Sequence, residues 1–315
     1  MSISAMSSSA TQASPFTRAV IRAVRKLYPE SLADKSFDNT GLLLEAPYRP
    51  GHLKNSALLT IDLTKAVADE AIARKDSIII TYHPIIFRAL KSITLGNSQQ
   101  STLLRLAQEG ISVYSPHTAV DAAPGGLIDW LADILVHDRS SITPIKEAPP
   151  GFNGAGYGRI VRFQAPLLLG TISERIQNLL GNLSGLSIAV PQTIQPKHKP
   201  LIKISSVGIC AGSGGSLLNG LDVDLLFTGE LSHHEALAAI EQGKCVITTF
   251  HSNTEREFLK RKMQPALEAE LKSMAKEEDA KEFGLGGDFQ IAVSEVDKDP
   301  FEFVMRHDAG WYLKT

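Results

Sequence analysis

Four places in the chain set metal-type side chains just behind a short apolar run. They are His83 in TYHP (81 to 84), His117 and Asp121 in SPHTAVD (115 to 121), Glu230, His233 and His234 in FTGELSHHE (227 to 235), and His251 and Glu255 in TFHSNTE (249 to 255). Mixed imidazole and carboxylate donors suit borderline first-row divalent cations (Zn, Mn, Fe or Ni) better than Ca, which takes oxygen ligands alone. A cation held with one open position lowers the pKa of a coordinated water toward about 7, and Glu255 or Asp121 could then serve catalytically by moving the proton. In alternating α/β sheets, ligands bind outside the carboxyl ends of the strands, which is where these residues fall.

Each cluster also has a plainer account. Pro84 biases His83 to an extended backbone at the strand end, where a hydrogen-bonded turn histidine would look the same. Asp121 precedes Gly125 and Gly126 near a helix start and fits a first-turn acid as well as a bridging ligand, with His117 beside it. His251 and Glu255 stand at i, i+4 and share a face if the helix beginning near Asn253 includes them; alternatively Glu255 closes a capping box on Ser252. Adjacent His233 and His234 point in different directions on a helix, so one at most would touch a ligand or a substrate. The loop from Gly212 to Ser216 offers backbone N–H groups to an anion, but it lacks a P-loop lysine and a tight turn explains it equally well.

The elements that must position these groups alternate. SALLTIDL (56 to 63), DSIIITY (76 to 82) and ISVYS (111 to 115) read as strands between helical patterns at 65 to 74, about 99 to 109 and 125 to 136. KISSVGIC (203 to 210), VDLLFT (223 to 228) and KCVITTF (244 to 250) repeat that grammar with helices near 232 to 241 and 254 to 272. This predicts an α/β fold of two similar halves, each with a mixed sheet covered by helices. The expected division is a tail over 1 to 13, a first half over 14 to 136, a Pro- and Gly-rich linker or crossing over 137 to 160, and a second half over 161 to 315.

Composition excludes several classes. With 32 basic and 34 acidic residues among 315, the chain has no net field for a polyanion, so direct nucleic-acid binding is not expected. No apolar run nears the roughly 20 residues that cross a bilayer. Cys210 and Cys245 end apolar runs and read as small buried hydrophobes, compatible with a reducing, cytoplasmic setting. The first 29 residues hold no acid and include Arg18, Arg22 and Arg25, the composition of a mitochondrial transit peptide. Yet Phe16, Ala19, Val20, Ala23, Val24 and Leu27 have core-helix spacing behind Ser14 as N-cap and Pro15 at N1, which predicts a structural helix instead.

Seven segments in order resemble the Nif-three-like family, also called GTP cyclohydrolase I type 2 homologues. They are FDNTGLLLE (37 to 45), TYHPIIF (81 to 87), HTAVDAAPGG (117 to 126), GAGYGRI (154 to 160), GICAGSGGS (208 to 216), FTGELSHHEALAA (227 to 239) and HSNTE (251 to 255). A late SEVDKDPFEF (294 to 303) is similar to the eukaryotic branch. The resemblance implies a pair of divalent metals in a cleft between two α/β halves. By that pattern His83, Asp121, His251 and Glu255 are ligands, with Asp121 or Glu255 able to bridge, and His117 supports them. Many bacterial members have two consecutive histidines where this chain has Tyr82 and His83; tyrosine, with a pKa near 10, ligates poorly unless ionised. Tyr82 is therefore expected beside the site rather than on the metal, and the eukaryotic branch is similar in having Tyr there.

The resemblance further implies a homo-oligomer, a hexameric ring of dimers or a dimer. It implies a metal-dependent hydrolase acting on GTP or another heterocyclic or phosphorylated small molecule. The family's description as an interacting factor of a transcriptional component implies a different reading, a metal-binding regulatory or adaptor protein.

Overall fold

The computed structural model describes residues 12–136, 141–149, 151–278, 280–302, 304–307 and 310–313. Residues 1 to 11 of the expected tail lie outside them. In the first part of the chain the elements run α1 (Pro15–Leu27), β1 (Gly41–Leu44), β2 (Ser56–Thr60), α2 (Lys65–Arg74), β3 (Ile78–Thr81), α3 (Ser98–Glu109), β4 (Ser112–Ser115), α4 (Thr118–Ala122) and α5 (Leu127–Asp133). There follow β5 (Ile142–Glu147), β6 (Gly156–Leu168), α6 (Leu169–Leu179), β7 (Ser187–Ala189), β8 (Lys203–Ile209), α7 (Gly215–Leu218), β9 (Leu225–Thr228), α8 (His233–Glu241) and β10 (Cys245–Thr248). The chain ends with α9 (Arg256–Phe258), α10 (Gln264–Met274), β11 (Gln290–Val293), β12 (Val304–His307) and β13 (Gly310–Leu313).

The chain forms two compact units, residues 1–119 with 259–298, and 120–258 with 299–315. This partition differs from the contiguous halves expected from composition, because sheet pairing returns the late segment to the first unit: β11 adds to β2 in parallel, and α10 packs on α1.

The first unit has a five-stranded sheet in the order β1-β4-β3-β2-β11. β11, β2, β3 and β4 run parallel, and β1 is antiparallel to β4. Every residue of β2, β3 and β4 is buried, as continuous apolar runs in parallel strands require. Leu58, Ile79 and Val113 from the sheet pack with Val67, Ala68 and Ala71 of α2 and Leu106 of α3. α1 begins as its sequence predicts: the Ser14 hydroxyl accepts from Thr17 N at 3.0 Å, and Pro15 stands at the first helical position. The parallel order is what positions chemistry. The chain leaves β2, β3, β4 and β11 at one edge of the sheet, and the antiparallel β1 enters there, with Gly41 opposite Ser115.

The second unit repeats the device with a six-stranded sheet, β5-β6-β8-β9-β10-β7. β8, β9 and β10 are parallel, and β5, β6 and β7 are antiparallel additions. Leu226 and Val246 pack with Leu218, Val223 and Ala239 to form its core. The expected linker over 137 to 160 is in part strand: β5 and the start of β6 pair there, with Pro144 opposite Arg159. Proline is tolerated because β5 is an edge strand and need donate on one side only. Arg159 is 1% exposed and anchors this corner. Its Nε donates to Asp129 Oδ1 at 2.6 Å and its Nη1 to the carbonyls of Gly156 and Gly158, while Asp129 Oδ2 accepts from Gly125 N at 2.7 Å. A backbone hairpin, β12 with β13, completes the strands.

Candidate metal-binding residues in each unit

At the first unit's edge, the exits from β2, β3 and β4 deliver Asp62, His83 and His117. His83 Nδ1 donates to Asp62 Oδ1 at 2.9 Å, and His117 Nδ1 to Asp38 Oδ1 at 2.7 Å. A carboxylate accepts, so each ring directs an Nδ1 proton at its acid and leaves Nε2 pointing away from it. Asp38 comes from the chain entering β1, and its buried side chain also accepts from the Thr118 hydroxyl and N–H and from the Thr40 hydroxyl. Burial pulls the Asp38 pKa up, but the His117 hydrogen bond and charge and the threonine donors outweigh it and hold it down at about 2. Tyr82 is 3% exposed, with its ring 5.0 Å from that of His83 and 5.4 Å from that of His117. His117 holds a left-handed backbone, φ 29°. Such strain in a non-glycine residue persists only where the surroundings fix it, here through Asp38 and Thr118.

At the second unit's edge, β8 leads into Gly212, β9 into Gly229 and Glu230, and β10 into Phe250 and His251. His251 Nδ1 donates to Glu230 Oε1 at 2.9 Å, a third histidine and carboxylate pair on the same nitrogen. His251 Nε2 stands 3.7 Å from Glu255 Oε1, and Glu255 is 1% exposed. Two ligand atoms each about 2.1 Å from one cation lie at most about 4.2 Å apart, so this pair fits a shared ion. The backbone between them is a tight 3-10 turn, Ser252–Thr254, and not the regular helix expected from Asn253. Nor does Glu255 cap Ser252, whose hydroxyl donates to Asp299 instead at 2.5 Å. The capping box lies elsewhere, between Ser232 and Glu235 at the start of α8.

The glycine-rich loop serves this turn. Gly212 has φ +57°, and a Cβ there would come 2.7 Å from His251 Nε2 and 3.1 Å from Glu255 Oε1. Gly212 N donates to the Thr254 hydroxyl at 2.9 Å and Gly214 N to Glu230 O at 3.3 Å, so two of the N–H groups expected for an anion hold the protein itself. Asp121 is half-buried within α4. Cys210, at the end of β8, has a thiol pushed up to about 12 by burial and by the charges of Asp121 and Glu255, which places both carboxylates within electrostatic reach of one sulfur. His233 and His234 are exposed on the first turn of α8, their rings 5.3 Å apart.

Two contributors escaped the sequence reading, Asp38 and Asp62. Asp62 obeys the rule that found the others, a polar residue just past an apolar run. Asp38 sits before a strand, and only the antiparallel pairing of β1 with β4 carries it to His117.

These edges belong to a known kind of protein. The family model Duf34/NIF3 (NGG1p interacting factor 3) matches residues 16–281, and the chain belongs to that family. It is 47% identical over 283 residues to the protein NIF3 homolog of Schizosaccharomyces pombe, covering 89% of this chain and 95% of the relative. It is 40% identical over 262 residues to NGG1-interacting factor 3 of Saccharomyces cerevisiae, covering 80% and 90%. Among solved structures, the Bacillus cereus protein related to NIF3 has the same fold, with a TM-score of 0.72 at 19% identity over 91% of this chain and 98% of the other. Among the described residues no helix is long and apolar enough to cross a membrane.

Proposed function

We propose that the chain binds one or two first-row divalent cations through His83, Asp121, His251 and Glu255 and uses them to hydrolyse a nucleotide or a related heterocyclic or phosphorylated small molecule. The observation that carries the reading is the His251 and Glu255 pair: an N and an O donor 3.7 Å apart, beside a glycine whose missing side chain keeps Nε2 approachable. Three histidines with Nδ1 held by carboxylates support it, since that arrangement aims Nε2 outward and strengthens it as a ligand. His83, His251 and Glu255 each have a ligand atom to offer.

Bound there, a cation supplies Lewis-acid activation of water. The chain's own groups do the rest. Glu230 fixes the tautomer of His251, Asp62 that of His83, and Tyr82 walls the first unit's histidines with an apolar ring. Glu255, buried beside Nε2 of His251, is the group to accept a proton from an attacking water, with Asp121 as its companion. A homo-oligomeric state belongs to the same proposal.

Metal analysis of protein purified without chelator tests the reading. About one to two first-row ions per chain, lost in Glu255→Ala and Asp121→Ala, together with turnover of GTP or a model phosphoester that vanishes in both variants, is the expected result. Metal-free protein overturns it. Full metal content with no turnover on a broad panel turns the assignment to a metal-binding regulatory or adaptor protein, a reading in keeping with the name of the S. cerevisiae relative, NGG1-interacting factor 3.

A further inference from the structure

β11 runs parallel to β2, so the chain leaving β11 arrives at the same edge as the chain leaving β2. Ser294 fixes the turn that follows: its N–H donates to Leu59 O, its hydroxyl to Glu70, and the N–H of Asp297 returns to that hydroxyl. Asp297 is thereby delivered to the loop after β2, where its Oδ2 accepts from Ile61 N at 2.7 Å and Asp62 N at 3.4 Å. Asp62 is the residue that orients His83.

Two residues later the device recurs in the second unit. Asp299 is 8% exposed, and its Oδ2 accepts from the Ser252 hydroxyl at 2.5 Å and Ser252 N at 3.3 Å, immediately after His251. Its Oδ1 accepts from Phe301 N at 2.9 Å, and the Phe301 ring lies 5.7 Å from that of Phe250, immediately before His251. Phe250 holds φ 68°, a left-handed conformation that strains a non-glycine residue. His251 is thus flanked by one strained and one tethered residue, and both are held by the segment from Asp299 to Phe301.

We infer that Asp297 and Asp299 are positioning residues for the proposed cation site, Asp297 through Asp62 and His83, Asp299 with Phe301 through the residues on either side of His251. The inference rests on the cation reading above. Neither aspartate touches the cation; each fixes the backbone from which a ligand or its orienting carboxylate projects.

Cobalt(II) titration tests it, with visible absorption reporting ligand geometry and a competing chelator reporting affinity, on the full chain and its variants. Asp297→Ala and Asp299→Ala are expected to weaken cobalt binding by roughly tenfold or more and to alter the spectrum, the size typical of lost outer supports. Asp299→Asn keeps an oxygen for the Ser252 donors and is expected to restore most of the affinity, which a loss of general stability would not predict. Phe301→Ala removes a ring that is 66% exposed, so it tests the clamp even where Asp299→Ala fails to fold; Asp297→Asn does the same for the first unit. Affinity and spectra equal to the parent's in these variants, with binding lost in His251→Ala, overturn the positioning role and leave the site standing. Equal binding by the parent and His251→Ala overturns the site itself.

Discussion

Gly212 lies so close to His251 that a single methyl group would displace the ring: an added Cβ would come 2.7 Å from Nε2 and 3.0 Å from Cε1. Gly212→Ala is therefore expected to push the imidazole aside and lower cation affinity at least about tenfold. The fold suffers less, because the left-handed φ of +57° costs alanine only about 1 kcal/mol. Isothermal titration beside thermal melts of the metal-free protein separates the two effects. Unchanged affinity in a folded Gly212→Ala protein rules out the recess as a cation cradle.

Arg159 and Asp129 form a buried charge pair in the second unit. Removing Asp129 strands a guanidinium that is 1% exposed and frees the Gly125 N–H, so Asp129→Ala is expected to lose about 3 to 5 kcal/mol. A surface ion pair such as Arg22 with Glu277 predicts less than about 1 kcal/mol for the same change. Urea denaturation of both variants decides between them, and similar losses would contradict the ranking.

Much of this fold is legible in the sequence itself. The apolar runs at 56 to 63, 76 to 82 and 111 to 115 announced β2, β3 and β4, and α2 spans the residues its periodicity predicts. His83, His117 and His251 stand just past β3, β4 and β10, where the apolar runs lead them to be expected, because parallel strands discharge at one edge and a local signal there carries global information. What stayed hidden depends on pairing between distant segments. β11 is four residues long with one buried position, too little pattern to place it beside β2, and with it went the late residues that hold Ile61 and Ser252. β5 was obscured by Pro144, which reads as a breaker unless the strand is known to be an edge. The i, i+4 spacing of His251 and Glu255 suggested a helix, yet a 3-10 turn and a left-handed Phe250 bring the two donors to 3.7 Å.

Asp38 gives the first unit a specific acid limit. Its pKa is held at about 2 despite burial, chiefly by His117, so the folded state binds its proton less readily than the unfolded chain does. A depressed carboxyl stabilises above the unfolded value near 4 and loses that contribution as pH falls toward the folded value of about 2. The contribution is of the order of 2 kcal/mol at neutral pH. Asp38→Asn is expected to be less stable by that order at pH 7 and to show a flatter decline between pH 4 and 2. Melts across that range check it; parallel curves for parent and variant would remove Asp38 as the source.

The two carboxylates of His251 should not matter equally. Glu230 has a side chain 51% exposed and holds Nδ1, where water can take its place as acceptor; Glu255 has a side chain 2% exposed and stands 3.7 Å from Nε2, the proposed ligand nitrogen. Glu230→Ala is therefore expected to cost about tenfold in cation affinity, the lower end for a lost orienting partner. Glu255→Ala removes a donor outright and is expected to leave no cation after dialysis. Glu230→Gln keeps an oxygen for the Nδ1 proton and is expected to bind nearly as the parent does, whereas Glu255→Gln replaces an anionic oxygen with a weaker neutral donor and is expected to lose most of the bound cation. Metal content per chain after dialysis, read for all four variants, orders them. If Glu230 proves the more costly loss, the Nδ1 pair is the anchor and Glu255 is a buried structural acid.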